Sequence, residues 1–167
     1  EGFNLMDTNA LKKFAQDGHM VFYKDPVSTN IIDAANQENG VLSQRDFNDY
    51  RVIVREPVCD FFMKHKICSM GEPSSGALTM LQILKMIEQN PTWHNYIEAS
   101  KLAFADRNYF IADPDYIVTP GTNLLNHEYL LDRKMIIKKN TVLDSVTNGQ
   151  PSLFWKDNHQ HENTGYE

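Results

Sequence analysis

No stretch of this 167-residue sequence stays apolar for the roughly 20 residues that a membrane helix needs, so nothing in it reads as a bilayer span. Basic clusters are equally scarce. None is longer than Lys138-Lys139, and the net charge is −6, so a nucleic-acid backbone is repelled more than attracted. Cys59 and Cys68 are the only cysteines, and they have neither zinc-ligand nor Cys-X-X-Cys spacing. The six histidines are scattered; only His159-Gln160-His161 approaches ligand spacing, and without a third ligand it makes no metal site. A Gly-X-Ser-X-Gly elbow, a phosphate loop, a dinucleotide fingerprint and a paired Cys/His arrangement are all missing. The residues therefore assign no catalytic group and no metal ligand, and no cofactor is expected. Asn90-Pro91-Thr92 is blocked as a glycosylation acceptor by its proline. The chain starts Glu1-Gly2-Phe3 with no initiator Met, basic n-region or apolar h-region, so any signal peptide is expected to lie outside it.

What is present is ordinary globular material: 41% hydrophobic and 23% charged residues, enough for one domain or a compact piece of a larger one. Asp7 or Thr8 caps a first helix over Leu11, Phe14 and Ala15, closed by Gly18. Asp25 reads as the N-cap of a second helix with Pro26 at its first position, a buried stripe of Ile31, Ile32 and Ala35, and Gly40 at its end. Ser43 and Asp46 form a capping-box-like start, with Phe47 and Tyr50 on one side. Val52 and Val54 alternate with their neighbours as in a strand.

Residues 58–70 read as a hairpin. A two-residue turn at Met63-Lys64 makes paired residue numbers sum to 127, so Phe62 faces His65 and Cys59 faces Cys68 at a non-hydrogen-bonded pair. A cross-strand disulfide is open to Cys59 and Cys68; two packed free thiols are the alternative, favoured by the strain of a bond across a tight hairpin. The hairpin runs into a corner, Pro73-Ser74-Ser75-Gly76, that aims hydroxyls and backbone N–H groups at one spot before Leu78, Leu81, Leu84 and Ile87 open a helix. By local chemistry alone the corner reads first as an ordinary N-cap before a core helix. A further helix runs from Trp93 to Phe110, with Glu98, Lys101, Asp106 and Arg107 as i,i+3 and i,i+4 pairs or a solvated face, and Asp113-Pro114-Asp115 breaks it. Residues 124–131 form another helix with Asn126 as cap, and from Lys138 onward periodicity fades into a loop-rich or disordered tail. The fold class is α+β, mainly helical with one β-hairpin.

In order and spacing, several of these pieces resemble the later part of the large subunit of a γ-glutamyltranspeptidase. They are Gly40-Val41-Leu42-Ser43-Gln44-Arg45-Asp46, Tyr50-Arg51-Val52-Ile53-Val54-Arg55-Glu56-Pro57, the corner with its approach from Cys68 to Gly76, Leu81-Gln82-Ile83-Leu84, the run from Glu98 to Arg107, and Asp113-Pro114-Asp115. The resemblance covers residues 22–133. Ser74, Ser75 and Gly76 match the family's Pro-Pro-Pro-Ser-Ser-Gly-Gly run, while Gly71-Glu72 replaces its first two prolines and Ala77 its last glycine.

The resemblance implies a fragment of an αββα N-terminal-nucleophile hydrolase. Residues 1–137 are then a large-subunit helical and hairpin domain, and residues 138–167 a tail leading to an autoprocessing site beside Glu167. The nucleophile is implied to be a threonine beyond Glu167. Thr164, followed by Gly165-Tyr166 rather than by His-X-Ser, is not assigned that role. Asp106-Arg107 and Asp113-Pro114-Asp115 are implied to tie the helix end to neighbouring loops, and Ser74, Ser75 and Gly76 to border the substrate cleft. Implied partners are the rest of the large subunit, the small subunit, glutathione-like amides, and amino-acid or peptide acceptors, in a periplasmic or extracellular setting. A cephalosporin-acylase-like or polyglutamate-processing relative is the rival within the superfamily. A non-catalytic helical binding module is the rival outside it.

Overall fold

A computed structural model describes residues 8–37 and 39–151. The chain is α+β and mainly helical with a single hairpin among the described residues, as its patterning leads one to expect. The chain forms two compact units, divided between Val54 and Arg55.

The first unit contains α1 (Thr8–Asp17), a 3-10 turn (His19–Tyr23), α2 (Val27–Asn36) and α3 (Gln44–Asp49). Gly18 closes α1 at φ 73°, where its N–H reaches Phe14 O at 2.9 Å. The entry to α2 differs from expectation. Pro26 is itself the N-cap, after a cis Asp25-Pro26 peptide, and the Asp25 carboxylate accepts the Thr29 hydroxyl instead. The buried stripe is corrected too: Ile31 and Ala35 are exposed, and Ser28 is the buried residue of α2, donating to Gln44 Oε1 at 2.9 Å. Gln44 Nε2 in turn donates to Tyr23 O, so one polar bridge locks α2, α3 and the 3-10 turn together. Ser43 gives both its N–H and its hydroxyl to Asp46, which holds that carboxyl below its usual range and starts α3. Tyr23 stacks on Tyr50 at 5.5 Å and meets Phe47 edge-on at 6.2 Å, so the two aromatics do share a side.

Residues 50–57 have no regular secondary structure and form no strand among the described residues; Val54 is 93% exposed. Alternation marks a strand only when a ladder partner exists to take its backbone groups, and here none of the described residues does.

The second unit opens on β1 (Val58–Phe62) and β2 (His65–Ser69), antiparallel in the register that sums to 127. Met63 takes φ 54° in the turn. The register places Cys59 opposite Cys68 with Cα atoms 4.1 Å apart, and their sulfurs are joined, so the free-thiol alternative is not the one adopted. Helix α4 (Gly76–Ile87) lies against the hairpin, with Lys85 Nζ donating to Phe61 O and the Met63 N–H to Glu88 Oε1. Helix α5 (Trp93–Phe110) starts where Thr92 Oγ1 accepts the Asn95 N–H, and Ala99 and Ala103, fully buried, let α4 approach closely.

The core joins Ile83, Met86 and Ile87 of α4 to Leu102 of α5 and Leu130 of α6 (His127–Met135). Each such side chain contributes about 1.5–3 kcal/mol by burial. A second cluster holds Leu78, Leu124 and Tyr129. Asn126 caps α6 as expected, accepting from the Glu128 and Tyr129 amides, but Leu124 and Leu125 belong to a 3-10 turn (Gly121–Leu125) before the cap and not to the helix.

Closing a loop across nine residues of sequence separation, the Cys59–Cys68 link restricts the unfolded chain by about 2.5 kcal/mol at most. A Cys59→Ser/Cys68→Ser double variant is expected to lose about 1–2.5 kcal/mol in urea unfolding. Reductant should then lower wild-type stability and leave the double variant unmoved.

Candidate functional site

The corner spends its polar groups on itself. Ser74 Oγ accepts the Gly76 N–H at 3.1 Å, Ser75 O accepts the Thr79 N–H, and the Ala77 N–H goes back to Met70 O at 3.0 Å. Ser75 Oγ takes the Arg107 Nε–H at 3.3 Å. A guanidinium cannot accept a proton near neutral pH, so this contact does not activate the hydroxyl as a nucleophile. Ser74, Ser75 and Gly76 thus sit together, part-buried or exposed, as a brace between the hairpin and α5.

Beside them lies a group that local patterning did not single out. The Glu72-Pro73 peptide is cis, and Glu72 Oε2 accepts the Thr119 hydroxyl at 2.8 Å while Oε1 is buried with no hydrogen-bond partner. Burial pushes this carboxyl above its usual value, against the pull of Thr119.

The acidic and basic positions at the end of α5 do tie it to loops. Arg55 reaches Asp115 with two nitrogens, at 2.6 and 3.2 Å, and Asp113 at 3.5 Å. That pairing raises the arginine and lowers the Asp115 carboxyl. Asp106 does more than tie a loop. It is fully buried, and its carboxylate accepts from Gln82 Nε2 (3.0 Å) on α4, from Tyr129 Oη (2.8 Å) and Arg133 (3.0 Å) on α6, and from the Gly149 N–H (2.9 Å). Arg133 also donates to Leu102 O and Thr147 O. Burial, then the Asp106 carboxylate, drives the Tyr129 phenol far above its usual value and keeps it a neutral donor.

Glu98 is likewise 1% exposed and not part of a solvated face. Burial raises its carboxyl, but the Lys101 ammonium at 2.9 Å and the Leu143 N–H at 2.9 Å outweigh that and hold it below 4.5. Its stabilising effect is therefore complete above that ordinary value and is lost as pH falls through the lower folded one. Motif reading singles out neither Tyr129 nor Arg133, and it includes Gln82 within Leu81-Gln82-Ile83-Leu84 without giving it a partner. The available signal was one long charged residue, Arg133, on the inward face of α6 beside Tyr129 and Leu130.

Through these groups residues 138–150, which have no helix or strand, are docked and not disordered: Leu143 and Val146 pack on the core, and Pro151 after them is buried. Among the described residues no three His, Cys, Asp or Glu side chains gather as a metal site. His159, His161, Thr164 and Glu167 lie outside the described residues. Within the first unit, a cavity of about 420 Å³ is lined by Tyr23, Phe47, Tyr50 and Arg51, among others. It brings together none of the residues singled out as cleft-lining.

Comparison with known proteins gives a consistent picture. The family model described as gamma-glutamyltranspeptidase matches residues 7–166. A glutathione hydrolase proenzyme of Bacillus subtilis (strain 168) is 26% identical over 93% of this chain and 28% of its own length. An acylase ACY 1 proenzyme of Pseudomonas sp. (strain V22) is 28% identical over 77% of this chain and 25% of its own length. The crystal structure of Helicobacter pylori gamma-glutamyltranspeptidase superposes with a TM-score of 0.70 at 26% identity, over 94% of this chain and 46% of that one. The chain thus spans about a quarter of the length of the curated relatives it matches.

Two substitutions probe the buried charges. Glu72→Gln is expected to raise the melting temperature at pH 7, and thermal scans should show the gain vanish below about pH 4, where both proteins are neutral there. Arg133→Leu takes from buried Asp106 its cationic partner, and urea titration is expected to show a loss of about 3–5 kcal/mol.

Proposed function

Since the chain belongs to the γ-glutamyltranspeptidase family, we propose that it is the C-terminal part of the large subunit of a γ-glutamyltransferase/hydrolase precursor. The observation that carries this reading is the family match from residue 7 to residue 166, nearly the whole chain. The curated relatives are named proenzymes, which supports a precursor cut into subunits.

On this reading residues 1–137 are scaffold and residues 138–167 lead to the cut. The first residues after Glu167 supply a threonine whose hydroxyl attacks the γ-carbonyl of a glutathione-like amide, with the threonine's own freed α-amine as base. The amine leaving group departs with a proton, and water or an amino-acid or peptide acceptor resolves the ester. The fragment holds the sheet edge and covers it, and catalyses nothing alone. No helix among the described residues is long and apolar enough to cross a membrane. The Cys59–Cys68 link favours an oxidising, periplasmic or extracellular setting. Exposed apolar side chains such as Trp93 (82%) and Val54 mark faces for the remainder of the precursor to cover.

A second reading, an acylase with a different acyl pocket, is favoured by the acylase ACY 1 relative. The purified 167-residue chain is expected to turn over neither a chromogenic γ-glutamyl anilide nor a glutaryl substrate. The full precursor, once cleaved, should act on the first; preference for the second selects the acylase. Activity of the isolated chain, or unrelated sequence in place of Thr-His-X-Ser after Glu167, removes the proposal.

A further inference from the structure

The cavity of about 420 Å³ in the first unit falls within the size range of small-molecule sites, about 300–1,000 Å³. Its walls are of two kinds. Tyr23, Phe47 and Tyr50 supply ring surface, while His19, Lys24 and Arg51 supply cations and N–H donors. Among the described residues no aspartate or glutamate lines it, in a chain whose net charge is −6.

The rings are held in place before any ligand arrives. Tyr23 stacks on Tyr50 with 15° between the ring planes and meets Phe47 edge-on, and its carbonyl is fixed by Gln44 Nε2 at 3.2 Å. Tyr50 nonetheless stays 53% exposed, so part of this aromatic surface has no protein cover. The cations are left unmatched. Arg51 Nη1 donates to two carbonyls, Asn48 O and Tyr50 O, each at 2.7 Å, which pins the guanidinium. Its Nε and Nη2, the side-on fork that fits a carboxylate, have no partner among the described residues. His19 and Lys24 enter no ion pair there either. The carboxylates that stand near them in sequence are engaged elsewhere: Asp25 with the Thr29 hydroxyl, Asp46 with Ser43, and Asp49 with Arg45 at 3.1 Å.

Where this chain uses a cation to brace its fold, it pairs it, as Arg55 with Asp115 and Arg133 with Asp106. Positive charges gathered at one concavity repel each other until an anion lies among them. We propose that this cavity is a binding site for a small aromatic carboxylate, its ring against Tyr23, Phe47 and Tyr50 and its carboxylate on Nε and Nη2 of Arg51. Lys24 adds charge from the rim. Such a ligand needs both parts, because an exposed ion pair alone contributes little and a bare ring leaves the guanidinium to water. The site stands on the first unit by itself and does not draw on the γ-glutamyl reading.

The test is calorimetric titration of the full-length protein with N-acetyl-phenylalanine, with a Kd of about 0.1–1 mM expected for a ligand of this size in an open site. N-acetyl-phenylalanine amide keeps the ring without the charge, and N-acetyl-alanine keeps the charge without the ring; each should bind about tenfold or more weakly. Arg51→Met is expected to weaken binding about tenfold and Lys24→Met about threefold. Lys24 makes no side-chain bond among the described residues, so Lys24→Met removes charge and leaves the unit folded, which circular dichroism checks for both variants. Equal binding of the acid and its amide overturns the inference, as does unchanged affinity in the folded variants or no binding at 10-fold the expected Kd. Tighter binding of adenosine 5′-monophosphate than of the carboxylate overturns the ligand class and with it the proposal.

Discussion

One carboxylate organises the second unit. Asp106 sits near the C-terminal end of α5 with no exposure, where an ionised group costs several kcal/mol unless every lone pair is met. The four donors that meet it come from α4, from α6 and from the backbone at Gly149, so the charge is satisfied only when all three have docked. Apolar contacts among Ile83, Met86, Leu102 and Leu130 tolerate small rotations of one helix on another. A set of bonds of 2.8 to 3.0 Å on two oxygens does not.

The same division of labour recurs along the chain. In the first unit, Ser28, Gln44 and Tyr23 O form the polar bridge while Val21 and the ring stack around Tyr23 supply burial. In the second, the hairpin is held to α4 by Phe62 against the core and by Lys85 and Glu88 at its turn. Glu98 and Lys101 treat Leu143 as Asp106 treats Gly149, converting an irregular segment into a placed one.

This economy bears on the corner. In a chain where Ser74, Ser75, Gly76 and Ala77 use their hydroxyls and amides within the corner or on Arg107, those groups brace the fold. Glu72, standing where the resembling family has proline, keeps one buried oxygen unpartnered, and its raised carboxyl follows from that isolation.

Much of the fold was legible beforehand because its signals are local. The helix from Trp93 to Phe110, the capping box at Ser43, the Asn126 cap and the hairpin register all follow from residues within a few positions of one another. The strand at Val52 and Val54 and the buried stripe of α2 failed because periodicity records what an element offers and not whether a partner arrives. The disulfide fell between these cases: register named the pair, but only the folded hairpin joined it. For the site, the motif pointed to Asp106 but not to its partners, since Gln82, Arg133 and Gly149 lie 24, 27 and 43 positions away and no spacing rule connects them. Residue order alone thus determined the elements and the family. The tertiary structure decided which charges go inward and where residues 138–151 run, because burial and hydrogen-bond satisfaction are properties of surfaces that meet only after the chain has closed on itself.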